Sequence, residues 1–418
     1  MSDGPAELPL LERTLDVDGH EFAPPHLWGG IFGPVAERLA EVCAPMIEAM
    51  GEDYISRPGQ AADDTPMTRE NVWTLRHTGA PGAFDMARRL EAMDLMGIKS
   101  QLIFPSFGLW GQILSTPEGG GPIAASLRRI MGSIPVEEMR AIGFAATDEW
   151  NDWCVLTTAR APSRLRPVGM FKAPADVDDL MAQARDLLAL GLKAVLINTG
   201  APLAGLSPAS PALDPFWALL AERNVPVTAH VGSDLGFLNS SEWSNAEAFA
   251  PQKLSIELGF EPYSMATTHL PVEHFLTVMV LGGVFERHPG LRFGAIELGA
   301  HWLGPLADNL DMWAEKVFAR RIKAVLSMKP SDYLARNVRV TPQNIVEPVD
   351  LFFRRYPHLA SCYCYSTDFP HIEGGVHINR TMHDLLAPLG DDILRKYFVE
   401  NGAWLLPDAA PTGIDGKR

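Results

Sequence analysis

Five side chains able to bind a metal or move a proton stand at the ends of short apolar runs. They are Asp18 and His20 in TLDVDGH, His230 in VPVTAH, Glu297 in LRFGAIE and Asp368 in SCYCYSTD. Each run has the composition of a β-strand bounded by glycine or proline. Residues two apart on a strand face the same way, so Asp18 and His20 can point inward together. Two imidazoles and three carboxylates gathered in one place suit a single divalent ion bound through nitrogen and oxygen, zinc or manganese. Taken singly, each has a plainer role. A strand-end histidine is usually just satisfied, Asp18 and Asp368 suit turns, and Glu297 precedes a helix start that favours a carboxylate. Their shared position at strand ends is what favours a metal centre.

Asp18 and Asp368 are far apart in the chain, so the fold must bring the first and last strands together. The expected strands are 14–20, 98–104, 165–171, 192–198, 225–231, 291–297, 337–341 and 361–367. Helical periodicity falls between them at 85–96, 136–159, 176–190, 215–223, 272–287, 300–321 and 347–356. Eight short strands alternating with helices predict an α/β fold, a (β/α)8 TIM barrel with its site at the C-terminal ends of the strands. Long loop insertions follow strand 1 (about 21–83) and strand 2 (about 106–135). Residues 1–405 read as one barrel domain and 406–418 as a disordered or peripheral tail.

Composition excludes several classes. Of 418 residues, 47% are hydrophobic and 21% charged, which is ordinary for a globular chain with a large core. A net charge of −16 argues against nucleic acid and anionic membrane as partners. No signal peptide and no membrane-length apolar run is evident, and four cysteines make no disulfide framework, which points to the cytoplasm. Cys362 and Cys364 read as core residues of the last strand.

The segments DGHEFAPPHLW, RLEAMDLMGIKSQLIFPS, LDPFWALLAERNVPVTAHVG, GGVFERHPGLRFGAIELGAHW and YSTDFPHIEG resemble the amidohydrolase-related family that includes aminocarboxymuconate-semialdehyde decarboxylase and related aromatic-acid decarboxylases. The likeness covers most of the chain. It implies a metal-dependent barrel enzyme with Asp18, His20, His230 and Asp368 as ligands of one ion, and a homodimer. Two positions depart from the family pattern. Ala23 stands where many relatives have glutamate, and Glu297 stands where the decarboxylases have a histidine, with His301 one helical turn later.

These residues point first to hydrolysis, with Asp368 or Glu297 taking a proton from water and His301 or His371 protonating the leaving group or gripping the substrate. Non-oxidative decarboxylation of an aromatic or enol carboxylic acid is the alternative, with Glu297 as the acid; a barrel that binds metal and ligand without catalysis is the third reading. The substrate is expected to be a small molecule, carboxylated or aromatic. Arg76 and His371 are candidates to grip it, with Phe107, Trp110 and Trp302, and also Phe237, as apolar walls. The stretch 50–83, carrying Tyr54, Arg57, Arg69, Trp73, Arg76 and His77, could close over such a substrate.

Overall fold

The structure is a computed structural model that describes residues 10–50, 59–116, 134–232, 246–252 and 262–412. Seven strands are paired in parallel. They are β1 (Thr14–His20), β2 (Ile98–Phe104), β3 (in two pieces, Leu165–Pro167 and Gly169–Met170), β4 (Val195–Leu196), β5 (Val227–His230), β6 (Phe293–Ile296) and β7 (Val338–Val340). The break in β3 falls at Val168, whose N–H still donates to Ile103 O. An eighth segment, 362–369 (β8), closes the ring. Val340 bridges to Tyr363 on one side and Gly19 to Phe369 on the other. The seam is carried by Cys364 N–H to Val340 O (3.0 Å), Asp368 N–H to Asp18 O (2.8 Å) and His20 N–H to Phe369 O (2.7 Å). The result is the eight-stranded barrel expected from the sequence.

Local chemistry explains how the strands are delivered. Helix Met86–Met96 starts where Asp85 accepts the N–H groups of Ala87 and Arg88, and ends at Gly97 with φ 78°. A Cβ on Gly97 would lie 1.9 Å from Leu11 O, so only glycine lets the helix turn directly into β2. In β1 the register with β2 slips between Asp16 and Gly19, a bulge of the kind that re-aims side chains beside a site. A Cβ on Gly19 would meet the Gln101 amide, which passes beneath it to reach Asp16.

Four features differ from the sequence expectations. The first insertion is not irregular, because Pro34–Met50 is a 17-residue helix. Its start is capped by Glu149, whose carboxylate accepts the N–H groups of Val35 and Ala36; a cap more than a hundred positions away leaves no local signal. In the second insertion Phe107–Ser115 is helical and packs on helix Val136–Arg160. Glycines 111 and 143 allow that close crossing. The segment 272–287 divides into Leu270–Leu281 and Val284–Arg287 around Gly283, where φ is 71°. Finally, residues 406–412 are docked rather than peripheral. Leu406 is buried, Arg166 donates to Pro407 O, and Ala410 N–H is held by Ser163 O and Ser100 Oγ. Among the described residues no helix is long and apolar enough to cross a membrane. Cys154, Cys362 and Cys364 are free, buried thiols.

Candidate metal centre

β1, β5 and β6 carry four donors to one point at the C-terminal mouth of the barrel. Ligand atoms of Asp18, His20, His230 and Glu297 all lie within 4.8 Å of one another. His230 Nε2 is 3.4 Å from Asp18 Oδ1 and 3.1 Å from Glu297 Oε2; His20 Nε2 is 3.5 Å from Asp18 Oδ1 and 3.8 Å from Glu297 Oε2. Hydrogen bonding sets the tautomer of His230. Its Nδ1 is 2.9 Å from the Val231 carbonyl, which can only accept, so Nδ1 carries the hydrogen and Nε2 faces the donors. Phe104 stacks on the His230 ring at 4.5 Å.

The donor set fits a divalent ion. It offers two imidazoles and carboxylate oxygens, the ligands zinc and manganese take. Asp18 Oδ1 and both ring nitrogens of His20 are buried without a hydrogen bond, which is costly unless something else engages them. Charge agrees. Burial depresses the His20 imidazolium, with His371 adding to the effect, and so favours the neutral imidazole a metal needs. Burial pulls His230 the same way, but Asp18 and Glu297 more than reverse this and raise it to about 10. Burial lifts Glu297, against the opposing pull of His230, so the group calls for positive charge.

Asp368, expected as the fourth ligand, stands beside these four donors, and Glu297 converges where it was expected. Asp368 Oδ1 is 3.4 Å from His20 Nε2, and Asp368 forms a second group of potential ligands with His371 and Glu373. The residue has φ 50°, held by its N–H to Asp18 O and by the His371 N–H to its own carbonyl. The His371 ring is 4.2 Å from that of His20 and 5.1 Å from Phe22. A small pocket opens here, lined by Asp18, Glu297, Gln343, Asn344, Asp368 and Glu373 among others. The first insertion folds over the loop after β8. His77 N–H donates to Pro370 O, and the Arg76 guanidinium donates to Gly375 O. Burial lowers Arg76 to about 10 against the raising charge of Asp368, and its Nε makes no hydrogen bond.

Other expected residues are placed differently. His301 does not join the donors, because its Nδ1 sits 2.7 Å from Glu347 Oε1 and its side chain is 52% exposed. Trp302 is buried, with its Nε1–H spent on the carbonyls of Leu298 and Gly299. Phe107 is fully buried against Phe32 and Trp28, and Trp110 is half-buried near Trp28. Tyr54, Arg57 and Phe237 lie outside the described residues.

Three buried residues passed over in the sequence organise the centre. Asp16, two residues before Asp18, accepts from Thr367 N–H (2.9 Å), Thr367 Oγ1 (2.5 Å) and Gln101 Nε2 (2.7 Å), and burial raises it to about 7. Glu21 accepts the N–H groups of Ala23, Ser106 and Phe107 and so ties the mouth of β1 to that of β2. Arg89 is wholly buried, donates to Gly82 O, Ala83 O, His20 O and Gln101 Oε1, and lies 4.7 Å over the Phe369 ring. Asp16 repeats the two-residue spacing of Asp18 and His20. Glu21 and Arg89 carry no signal of their own in a single sequence.

Comparison with known proteins bears on this geometry. The amidohydrolase family model matches residues 122–407, more than half of the chain. The chain belongs to the amidohydrolase family. Membership makes this amidohydrolase an enzyme, a hydrolase or a carboxy-lyase, and sets aside the non-catalytic reading. No curated protein matches it. Among solved structures it is similar to an amidohydrolase from Mycobacterium avium subsp. paratuberculosis K-10, with TM-score 0.63, 21% identity, and coverage of 94% of this chain and 99% of that one. It is also similar to 5-carboxyvanillate decarboxylase from Sphingomonas paucimobilis (0.53, 16%, 94% and 98%). The decarboxylase of the same name from Novosphingobium aromaticivorans, complexed with manganese and 4-hydroxy-3-methoxy-5-nitrobenzoic acid, is a further likeness (0.54, 17%, 94% and 96%). At these identities the likeness concerns the barrel fold.

Proposed function

We propose that this amidohydrolase is a hydrolase of small carboxylated or aromatic substrates that uses one divalent ion, zinc or manganese, held by Asp18, His20, His230 and Glu297. The observation that carries the reading is the position of Asp368: a carboxylate 3.4 Å from His20 Nε2, beside the four converging donors and facing the pocket. An ion bound there supplies Lewis-acid polarisation of a carbonyl and makes water a nucleophile at neutral pH. The protein's own part is the proton. Asp368 accepts it from the attacking water, and His371, whose ring lies 4.2 Å from that of His20, hands one to the leaving group. Arg76 presents its unpaired Nε–H as the grip for a substrate carboxylate. Residues 76–77 are tied to the loop after β8 beside the mouth.

One observation favours a second reading, non-oxidative decarboxylation. Burial raises Glu297, and in this reading Glu297 is not a ligand but the carboxylic acid that delivers a proton to carbon, with Asp368 as the fourth ligand. The solved decarboxylases of similar fold make aromatic hydroxy-acids the first substrates to try. The test is a screen of chelator-stripped and manganese- or zinc-loaded protein. Amides, esters and ring-cleavage products are scored for hydrolysis, aromatic hydroxy-acids for CO2 release. Ion-dependent hydrolysis that Asp368→Asn abolishes is the expected outcome. Release of CO2 with no hydrolysis moves the assignment to the second reading, and full turnover by stripped protein overturns both.

A further inference from the structure

Glu297 carries its carboxylate to the donors from a backbone conformation that non-glycine residues avoid, with φ 57°. Two groups from the loop after β7 hold it there. Thr341 Oγ1 accepts the Glu297 N–H at 2.7 Å, and Gln343 Nε2 donates to the Glu297 carbonyl at 3.0 Å. Both groups are themselves on a loop, so something must fix that loop against β6.

Glu347 does this. Its side chain is only 8% exposed, and its carboxylate gathers donors from both sides of the gap. From the β7 loop it takes the Gln343 N–H at 2.9 Å. From the turn after Glu297 it takes the N–H groups of Ala300 (3.0 and 3.2 Å) and His301 (3.0 Å), and it pairs with His301 Nδ1 at 2.7 Å. Gly299, φ 70°, lets the turn pass this close, for a Cβ there would stand 3.1 Å from Glu347 Oε1. One buried carboxylate therefore clamps residues 299–301 to residue 343, with Glu297 between them.

We infer that Glu347 is a positioning residue that aims Glu297 at the ion, acting through Gln343 and the 299–301 turn. This rests on the reading of Glu297 as a ligand given above. It also gives His301 a place: the imidazole is part of the clamp, outside the reacting group. Removing outer partners of metal ligands typically costs about 10–100-fold in metal affinity. Glu347 should behave in this way only while Glu297 has a charge to aim.

The test is a double-mutant cycle read as the Mn2+ dissociation constant of chelator-stripped protein by calorimetric titration. Glu347→Ala in the parent background should weaken Mn2+ binding at least ten-fold. In a Glu297→Gln background the same change should have little further effect. Glu347→Gln keeps one acceptor oxygen but turns an NH2 group towards N–H donors on one side of the clamp, so it should weaken binding in the same direction as Glu347→Ala and by less. Gln343→Ala, which removes only the clasp on the Glu297 carbonyl, repeats the pattern if Glu347→Ala proves too unstable to purify. Equal losses in both backgrounds, or unchanged affinity in folded Glu347→Ala and Gln343→Ala, overturn the inference and leave the metal reading standing. Parent protein that binds no Mn2+ overturns both, since Glu297 would then have nothing to be aimed at.

Discussion

Loading the metal centre should expel a proton, and its size follows from the geometry. Without an ion, His230 Nε2 lies 3.4 Å from Asp18 Oδ1 and 3.1 Å from Glu297 Oε2. Burial opposes a charged imidazole, but these carboxylates outweigh it and raise His230 to about 10. Near neutral pH the three residues therefore hold one shared proton, whereas a ligand imidazole must be free of it. His20, depressed by burial, holds none in that range. One proton leaves per ion bound, so affinity should climb about ten-fold, or about 1.4 kcal/mol, for each pH unit below that value. The sign is fixed: acid competes with the ion, and binding strengthens as pH rises. The assay is calorimetric titration of stripped protein with Mn2+ at pH 6, 7 and 8, in two buffers of different ionisation enthalpy. Heats that do not depend on the buffer, together with an affinity flat across this range, would refute the reasoning. The same proton is linked to stability of the ion-free protein. Being raised in the fold, His230 contributes stability fully below its ordinary value of 6.5 and loses it as pH climbs towards about 10.

Three further outcomes follow from named contacts. Arg89→Met strips the donors from the carbonyls of Gly82, Ala83 and His20, and should cost at least about 3 kcal/mol in urea unfolding; a shift within error would mean that those carbonyls find water instead. Gly374→Ala places a Cβ 1.9 Å from Thr367 O and 3.2 Å from Asp368 Cβ, so the turn must move and carry Asp368 with it; steady-state kinetics should show kcat down by about 100-fold in protein that still melts cooperatively. Ending the chain at residue 405 removes buried Leu406, the Pro407 acceptor of Arg166 and both bonds to Ala410 N–H, and calorimetry should find the thermal midpoint lowered by roughly 3 °C.

Much of the barrel and most of the centre were readable from residue order. Asp18, His20, His230, Glu297 and Asp368 each end an apolar run, and a strand that meets the mouth of a barrel leaves that mark. The bulge in β1 was not readable, because it depends on how Asp16 and Gly19 register against β2. Helix Pro34–Met50 went unread because its cap, Glu149, is supplied by another helix. Arg89 and Glu347 look like ordinary charges on helices or loops, and only the fold reveals that each is buried with several backbone partners. His301 shows the opposite error. Its spacing from Glu297 suggested a place among the converging donors, and the fold instead pairs it with Glu347, far along the chain.

The seam between β1 and β8 also sets a schedule. Asp18 and Asp368 are bonded neighbours through backbone, yet 350 residues separate them in the order of synthesis. At about 5–20 residues per second, on the order of 20–70 s pass between their appearances. Throughout that interval Asp18 and His20 exist without the strand that closes over them. The nascent chain thus carries its donors on an unclosed barrel until the last strand arrives, and choice of metal falls to the finished barrel, at whatever ion concentrations surround it then.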